Sequence, residues 1–257
     1  MIQIVLGTLV GFITGIISGL FGVGGGIIII PSLVFLGLPI HHAVSDSLFY
    51  IAIVMCSGAF QQYKNKNINF NIAIPTAIAS IIFTQLGIKI LKDIDSNNLQ
   101  LYFGIFLFLV GIDFFRKVFD KKNIPIIDIE TQKSKYYIKD YLISFIIGCF
   151  GGLCAGLFGI GGGIILIPLY NNILKLPIKL AIGTSTLVIF FSALSGSVTH
   201  IFEKNIDFHL LIPMVLFGLL GAKIGIKFLN KLKDLYLRTG FAIIVLSVSC
   251  LLIFKSF

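Results

Sequence analysis

The sequence predicts an all-α polytopic membrane protein: two inverted repeats of about five apolar segments each, with a Gly-rich broken helix in each half. Three observations predict it. First, no Asp, Glu, Lys or Arg occurs from Met1 to Ser45, from Tyr141 to Leu174 or from Leu180 to Phe202. A helix needs only about 20 apolar residues to cross a bilayer. Second, one glycine-rich string occurs twice. Third, the basic residues divide unevenly between the two ends of the apolar segments. The composition agrees, with 57% hydrophobic and 12% charged residues against about 25% charged in soluble domains.

The apolar pieces of the first half fall near 2–20, 27–38, 43–62, 71–91 and 98–118. Those of the second fall near 139–158, 164–175, 180–202, 208–229 and 236–255. The first has no basic residues before it and runs on into further apolar sequence, so it reads as an uncleaved span and not as a signal peptide. The second piece of each half is short and follows the glycines. A polar, mixed-charge segment separates the halves, giving repeat 1 over 1–119, a cytoplasmic linker over 120–138 and repeat 2 over 139–257. Cys56, Cys149, Cys154 and Cys250 lie within apolar pieces without a histidine partner at ligand spacing, and read as small packing residues.

The repeat is close. Gly19-Leu20-Phe21-Gly22-Val23-Gly24-Gly25-Gly26 through Pro31 returns as Gly156-Leu157-Phe158-Gly159-Ile160-Gly161-Gly162-Gly163 through Pro168, with aliphatic swaps only. Leu38-Pro39-Ile40 then matches Leu176-Pro177-Ile178, and Asn67-Ile68-Asn69-Phe70 matches Asn205-Ile206-Asp207-Phe208. Parity decides orientation: an odd number of crossings per half inverts the second copy. The positive-inside rule chooses between the two cases. With five crossings, one side receives Lys64, Lys66, the cluster within 116–139, Lys175, Lys179 and the basic residues from Lys227 to Arg238. The other receives only Lys89, Lys92, Lys204 and Lys255. Four crossings give a nearly even split. Inverted repeats with a cytoplasmic linker are therefore expected, and re-entrant pieces would satisfy the same parity. The net charge of +9 reads as loop charge in such a protein and not as a nucleic-acid surface.

Glycine permits the positive-φ conformations that aim successive N–H groups at one point. The helix after the glycines directs its positive end to the same place. Gly22, Gly24, Gly25 and Gly26, with Gly159, Gly161, Gly162 and Gly163, thus form a candidate anion cradle that needs no charged side chain. Broken helices in inverted repeats build midplane transport sites this way; close helix packing is the alternative role for small residues. The third piece of each half begins with hydroxyls. Ser45, Ser47, Thr184, Ser185 and Thr186 are candidate donors to an anion, or else helix caps. Asp46 is an acid within an apolar segment, with His41 and His42 close by, and is the candidate for proton coupling; capping is again the alternative. Lys223 either attracts the anion or snorkels to the cytoplasmic face. A dinucleotide site is excluded by the apolar context without a strand–turn–helix unit.

The duplicated Gly-x-Gly-Gly-Gly break with its following aliphatics and proline resembles the sulfite exporter TauE/SafE family of membrane permeases. Gly221-Ala222-Lys223-Ile224-Gly225 and Asn205-Ile206-Asp207-Phe208 add to the resemblance, which covers essentially the whole chain. It implies transport of sulfite, a sulfonate or a related small anion across the cell inner (plasma) membrane. Gln85 stands where the second half has Lys223, so the halves differ chemically. The expected function is secondary transport of a small anion, with an anion channel or an accessory membrane subunit as alternatives. No HExxH pair, nucleophile–base arrangement or GxxxxGK[ST] string occurs, so neither an enzyme nor an ATP-driven pump is expected. No cofactor or metal is expected. The expected partners are the substrate anion and the lipid bilayer, with homo-oligomerisation open.

Overall fold

A computed structural model describes residues 2–119, 137–203, 205–229, 231–232 and 234–256. The expected linker lies outside the described residues up to Tyr136. Ten helices follow one another. The first half holds α1 (Ile2–Phe21), α2 (Gly26–Phe35), α3 (Ile40–Lys64), α4 (Phe70–Lys92) and α5 (Ser96–Phe119). The second holds α6 (Ile138–Phe158), α7 (Gly163–Asn172), α8 (Ile178–Phe202), α9 (Phe208–Leu229) and α10 (Asp234–Ser256). Each matches an apolar piece of the sequence in order. Among the described residues, α3, α4, α6, α8 and α9 are each long and apolar enough to cross a membrane.

The repeats are interleaved. The helix pairs in most extensive contact are α1 with α9 and α4 with α6, each joining the first helix of one repeat to the fourth of the other. The cause lies in a row of small residues. Gly11, Gly15 and Gly19 recur every fourth position on one face of α1, and a methyl on them would sit 2.3, 2.3 and 2.4 Å from the carbonyl oxygens of Met214, Gly218 and Ala222 on α9. Gly148, Gly152 and Gly156 of α6 meet the carbonyl oxygens of Thr76, Ser80 and Thr84 at 2.3, 2.4 and 2.2 Å in the same sense. Only a helix face without side chains lets backbones come this close in lipid, where packing and not hydrophobicity drives association.

These contacts also fix direction. Position numbers rise together along both seams, so α1 runs parallel to α9 and α6 parallel to α4. The corresponding helices α3 and α8 run antiparallel: Leu48 lies against Gly196, and Gly58 against Thr186. One repeat is therefore inverted relative to the other, as the charge count requires. The path of the first two helices of each half differs from the simplest five-span reading. With 10 residues each, α2 and α7 extend about 15 Å, half of a bilayer core of about 30 Å. α3 runs in the same direction as α1, since Tyr50 Oη donates to Gly11 O at 2.7 Å and, further along both helices, Ser18 Oγ reaches Met55 Sδ at 3.9 Å. The α1–α2 pair thus starts and finishes on one side as a re-entrant hairpin, and α6–α7 does so from the other. A pair that returns to its starting side leaves the inverted relation of the repeats unchanged.

Outward faces are apolar, as lipid requires: Ile74, Ile78, Ile82, Leu86 and Ile90, spaced by four, form a stripe along α4. The four cysteines are free, and Cys56 and Cys250 point outward instead of packing inside.

Candidate functional site

The glycine breaks lie where the two hairpins turn, and they meet. Gly22, Gly24 and Gly25 have φ of 61, 85 and 84°, and Gly159, Gly161 and Gly162 have φ of 64, 72 and 81°. An L side chain in this region costs about 1–2 kcal/mol, which explains the residue type at these six positions. Gly26 and Gly163, already helical, are glycines for proximity. A methyl on Gly26 would lie 2.7 Å from Ile160 Cα, and one on Gly163 2.7 Å from Val23 Cα. Ile51 of α3 and Ile189 of α8 close around Gly24 and Gly161. Every residue from Gly22 to Ile27 and from Gly159 to Ile164 is buried.

The hydrogen-bond inventory of the breaks is one-sided. Gly22 N–H donates to Ser18 O at 2.8 Å, and Gly159 N–H to Ala155 O at 2.9 Å. The N–H groups of Val23, Gly24 and Gly25, and of Ile160, Gly161 and Gly162, find no acceptor among the described residues. The first-turn N–H groups of α2 and α7 follow directly, and neither N-cap glycine offers a side chain to them. Buried N–H groups without partners are rare in proteins. Two rows of them, at the starts of two helices of opposite direction, form a concentrated donor field free of charged side chains.

One carbonyl of each break is held by the other repeat. Ser47 Oγ donates to Gly159 O at 2.8 Å, and its counterpart Ser185 Oγ donates to Gly22 O at 3.2 Å. These two hydroxyls pin each break to the third helix of the opposite repeat. Ser47→Ala is expected to lower stability by about 1–3 kcal/mol, because Gly159 O then loses its donor in a buried place. Thermal unfolding in detergent measures this, and an unchanged midpoint would remove the pin from the account.

The remaining sequence candidates separate into groups. Thr184 Oγ1 accepts the Asn69 N–H at 3.0 Å, Thr186 Oγ1 donates to Ile182 O and Ser45 Oγ to His41 O. Asp46 accepts the Asp207 N–H through Oδ1 at 3.0 Å. His42 is exposed, with Nδ1 3.3 Å from Asn205 O, and His41 is half-buried. Lys223 stands on the exposed face of α9, opposite the Gly221 and Gly225 face that meets α1. The structure does not bring it to the breaks. Its counterpart Gln85 faces inward instead, donating to Ser195 and accepting from Thr199 at 2.9 Å. Two further features of the site are not among the sequence candidates: Ile51 and Ile189, which cover the centre, and the glycine row of α1. The row is visible in the sequence as spacing by four; the isoleucines carry no signal in so apolar a chain.

The described residues contain no group of three or more His, Cys, Asp or Glu that suits a metal ion. A family model described as "Sulfite exporter TauE/SafE" matches residues 7–252. A Bacillus subtilis (strain 168) protein named "Probable membrane transporter protein YunE" is 28% identical over 95% of this chain and 95% of its own length. A Methanocaldococcus jannaschii protein, also named a "Probable membrane transporter protein", is 32% identical over 90% of this chain and 88% of its own. No solved structure matches the chain. Paired glycine breaks, interleaved apolar helices and a match across nearly the full length lead to one conclusion: the chain is a multi-pass membrane transporter belonging to the sulfite exporter TauE/SafE family.

Proposed function

We infer that the transported substrate is a small anion, of the size and charge of sulfite or a simple sulfonate, and that it binds between the two glycine breaks. The observation that carries this reading is the set of buried N–H groups, three per break, without acceptors among the described residues. Oxyanion oxygens are their natural complement, and a cation that carries no acceptor would leave them unmet. The breaks touch each other and every residue in them is buried, an occluded arrangement that favours a carrier over an open channel. The anion enters when the bundle opens toward one side of the breaks and leaves when it opens toward the other, the alternating access of inverted-repeat carriers. The basic residues on the Lys64 side assign that side to the cytoplasm, in keeping with a plasma (inner) membrane.

The test is purified full-length protein screened for thermal stabilisation by sulfite, thiosulfate, sulfate, methanesulfonate and acetate. Labelled sulfite uptake is then followed in liposomes holding this chain alone. A true substrate at about 100 times its Kd stabilises by about 2.7 kcal/mol, and uptake saturates. If none of these anions shifts unfolding and none is taken up, the site does not bind small anions. Conductance far above carrier turnover would return the reading to a channel.

A further inference from the structure

The repeats tie their fourth helices to each other's third helices in matching ways, and the two ties differ in one chemical respect. On α8, Thr184 Oγ1 accepts the N–H of Asn69 at the head of α4, 3.0 Å away. At the corresponding place on α3, Asp46 Oδ1 accepts the N–H of Asp207 at the head of α9, also 3.0 Å away. One tie is a neutral hydroxyl and the other an acid. Asp46 is 0% exposed, and its second oxygen, Oδ2, has no hydrogen-bond partner. A cap needs one oxygen only, as Thr184 demonstrates. The second oxygen is surplus to the cap, and buried acids inside a membrane mark proton paths.

Asp46 is also placed to matter. Its neighbour Ser47 holds Gly159 of the second break, so one turn of α3 grips both that break and the head of α9. Along α3, Asp46 lies about 7.5 Å from Ile51 at the centre. An open cavity of about 580 Å³, lined by His42, Asn205, Asp207 and His209 among others, reaches Asp207, the residue whose N–H Asp46 accepts; Asp46 itself stays buried behind that lining. The ionisable groups around Asp46 can be named element by element. α9 brings Asp207 and His209, the latter donating its N–H to Asp207 Oδ1 at 3.1 Å. α3 itself brings His41 and His42. The end of α8 brings His200 and Glu203, which lie 3.5 Å apart, with Lys92 of α4 paired to the same Glu203. α2 carries no ionisable side chain, and α5 has its charges, Asp113, Arg116 and Lys117, in its last two turns. No cation is paired with Asp46 among the described residues.

We propose that Asp46 is the group that couples anion movement to a proton, its Oδ2 taking up the proton from the cavity beside His42. This rests on the anion-carrier reading above. In each cycle one proton from the water on the Lys92 side bonds to Oδ2 and leaves to the opposite side with one anion, restoring the carboxylate. The repeat with Thr184 has no equivalent group, so a single proton site serves the pair. The alternating exposure that carries the anion exposes Asp46 as well, because Ser47 moves with the break it holds.

Two measurements test this. In full-length protein in nanodiscs, infrared titration is expected to show the carbonyl band of a protonated buried carboxyl growing as pH falls, and the band is absent in Asp46→Asn. No such band, or an unchanged band in Asp46→Asn, overturns the proposal whatever the substrate proves to be. In liposomes, Asp46→Asn keeps an oxygen for the Asp207 N–H. It is expected to retain sulfite–sulfite exchange within about two-fold while losing about ten-fold or more of the sulfite accumulation driven by an imposed pH gradient, the scale of one lost coupling interaction. Undiminished pH-driven accumulation in Asp46→Asn overturns it too. If wild-type protein exchanges no sulfite at all, the sulfite reading fails separately, and the infrared result still decides the role of Asp46.

Discussion

Gly162→Ala is expected to lower the stability of the folded protein by about 1–3 kcal/mol more than Gly25→Ala, at the corresponding position of the other repeat. Both residues cap the start of a half-helix with φ near +80°, at 81 and 84°, so each alanine bears the same left-handed strain of about 1–2 kcal/mol. Their surroundings differ. A methyl on Gly162 would sit 2.4 Å from Gly151 O, a backbone atom of α6 that cannot move without shifting the helix. A methyl on Gly25 would meet nothing closer than Thr14 O at 3.4 Å. Overpacking against backbone adds about 1–3 kcal/mol or more at Gly162 alone. Thermal unfolding of the two variants in the same detergent measures the difference. Equal stability would mean that the second hairpin is not held against α6 as the structure shows.

A second large effect is expected at the seam between the repeats. Gly15→Leu places a branched side chain where even a methyl would lie 2.3 Å from Gly218 O. The helices α1 and α9 must then separate along their length, because the contacts at Gly11 and Gly19 are as close as the one at Gly15. Core overpacking costs about 1–3 kcal/mol where a side chain can yield; a backbone cannot, so the loss is expected at or above the top of that range. Leu9→Ala, on the same helix but 56% exposed, serves as the control and is expected to change stability by no more than about 0.5 kcal/mol. Size-exclusion profiles and unfolding midpoints check both. A Gly15→Leu protein as stable as wild type would rule out the parallel α1–α9 packing. Loss of transport is expected to accompany loss of the seam, since α1 carries one break while α9 belongs to the opposite repeat.

The helices are largely legible in the amino-acid sequence. A stretch of apolar residues long enough to cross lipid states its own limits, and the pieces at 43–62 and 208–229 correspond to helices at Ile40–Lys64 and Phe208–Leu229. The re-entrant path is not legible, because the piece near 27–38 shows apolar length but not where a neighbouring helix begins. The direction of α3 beside α1 supplies that. At the breaks, the glycines announce an unusual backbone, and the positive φ angles are that backbone. The hydroxyls are harder to read. Ser47 and Ser185 have the chemistry of donors facing a substrate, and they donate to the opposite repeat instead. Asp46 has the chemistry of a cap for its own helix, and it caps α9. Lys223 lies on an outward face, as its four-residue spacing to Lys227 suggests.

The sequence by itself determined that the chain lives in a membrane, repeats itself in opposite orientation and breaks two helices with glycine. Those properties follow from hydropathy, duplicated motifs, charge distribution and the steric freedom of one residue type, all of which are local or additive along the chain. Only the tertiary structure decided that the halves are interleaved, that two hairpins meet at one centre and that each break is pinned from across the repeat boundary. Ser47 lies 112 residues from Gly159, and Ser185 lies 163 from Gly22. A hydroxyl chooses its acceptor by where packing places it, and no spacing in the sequence carries that information.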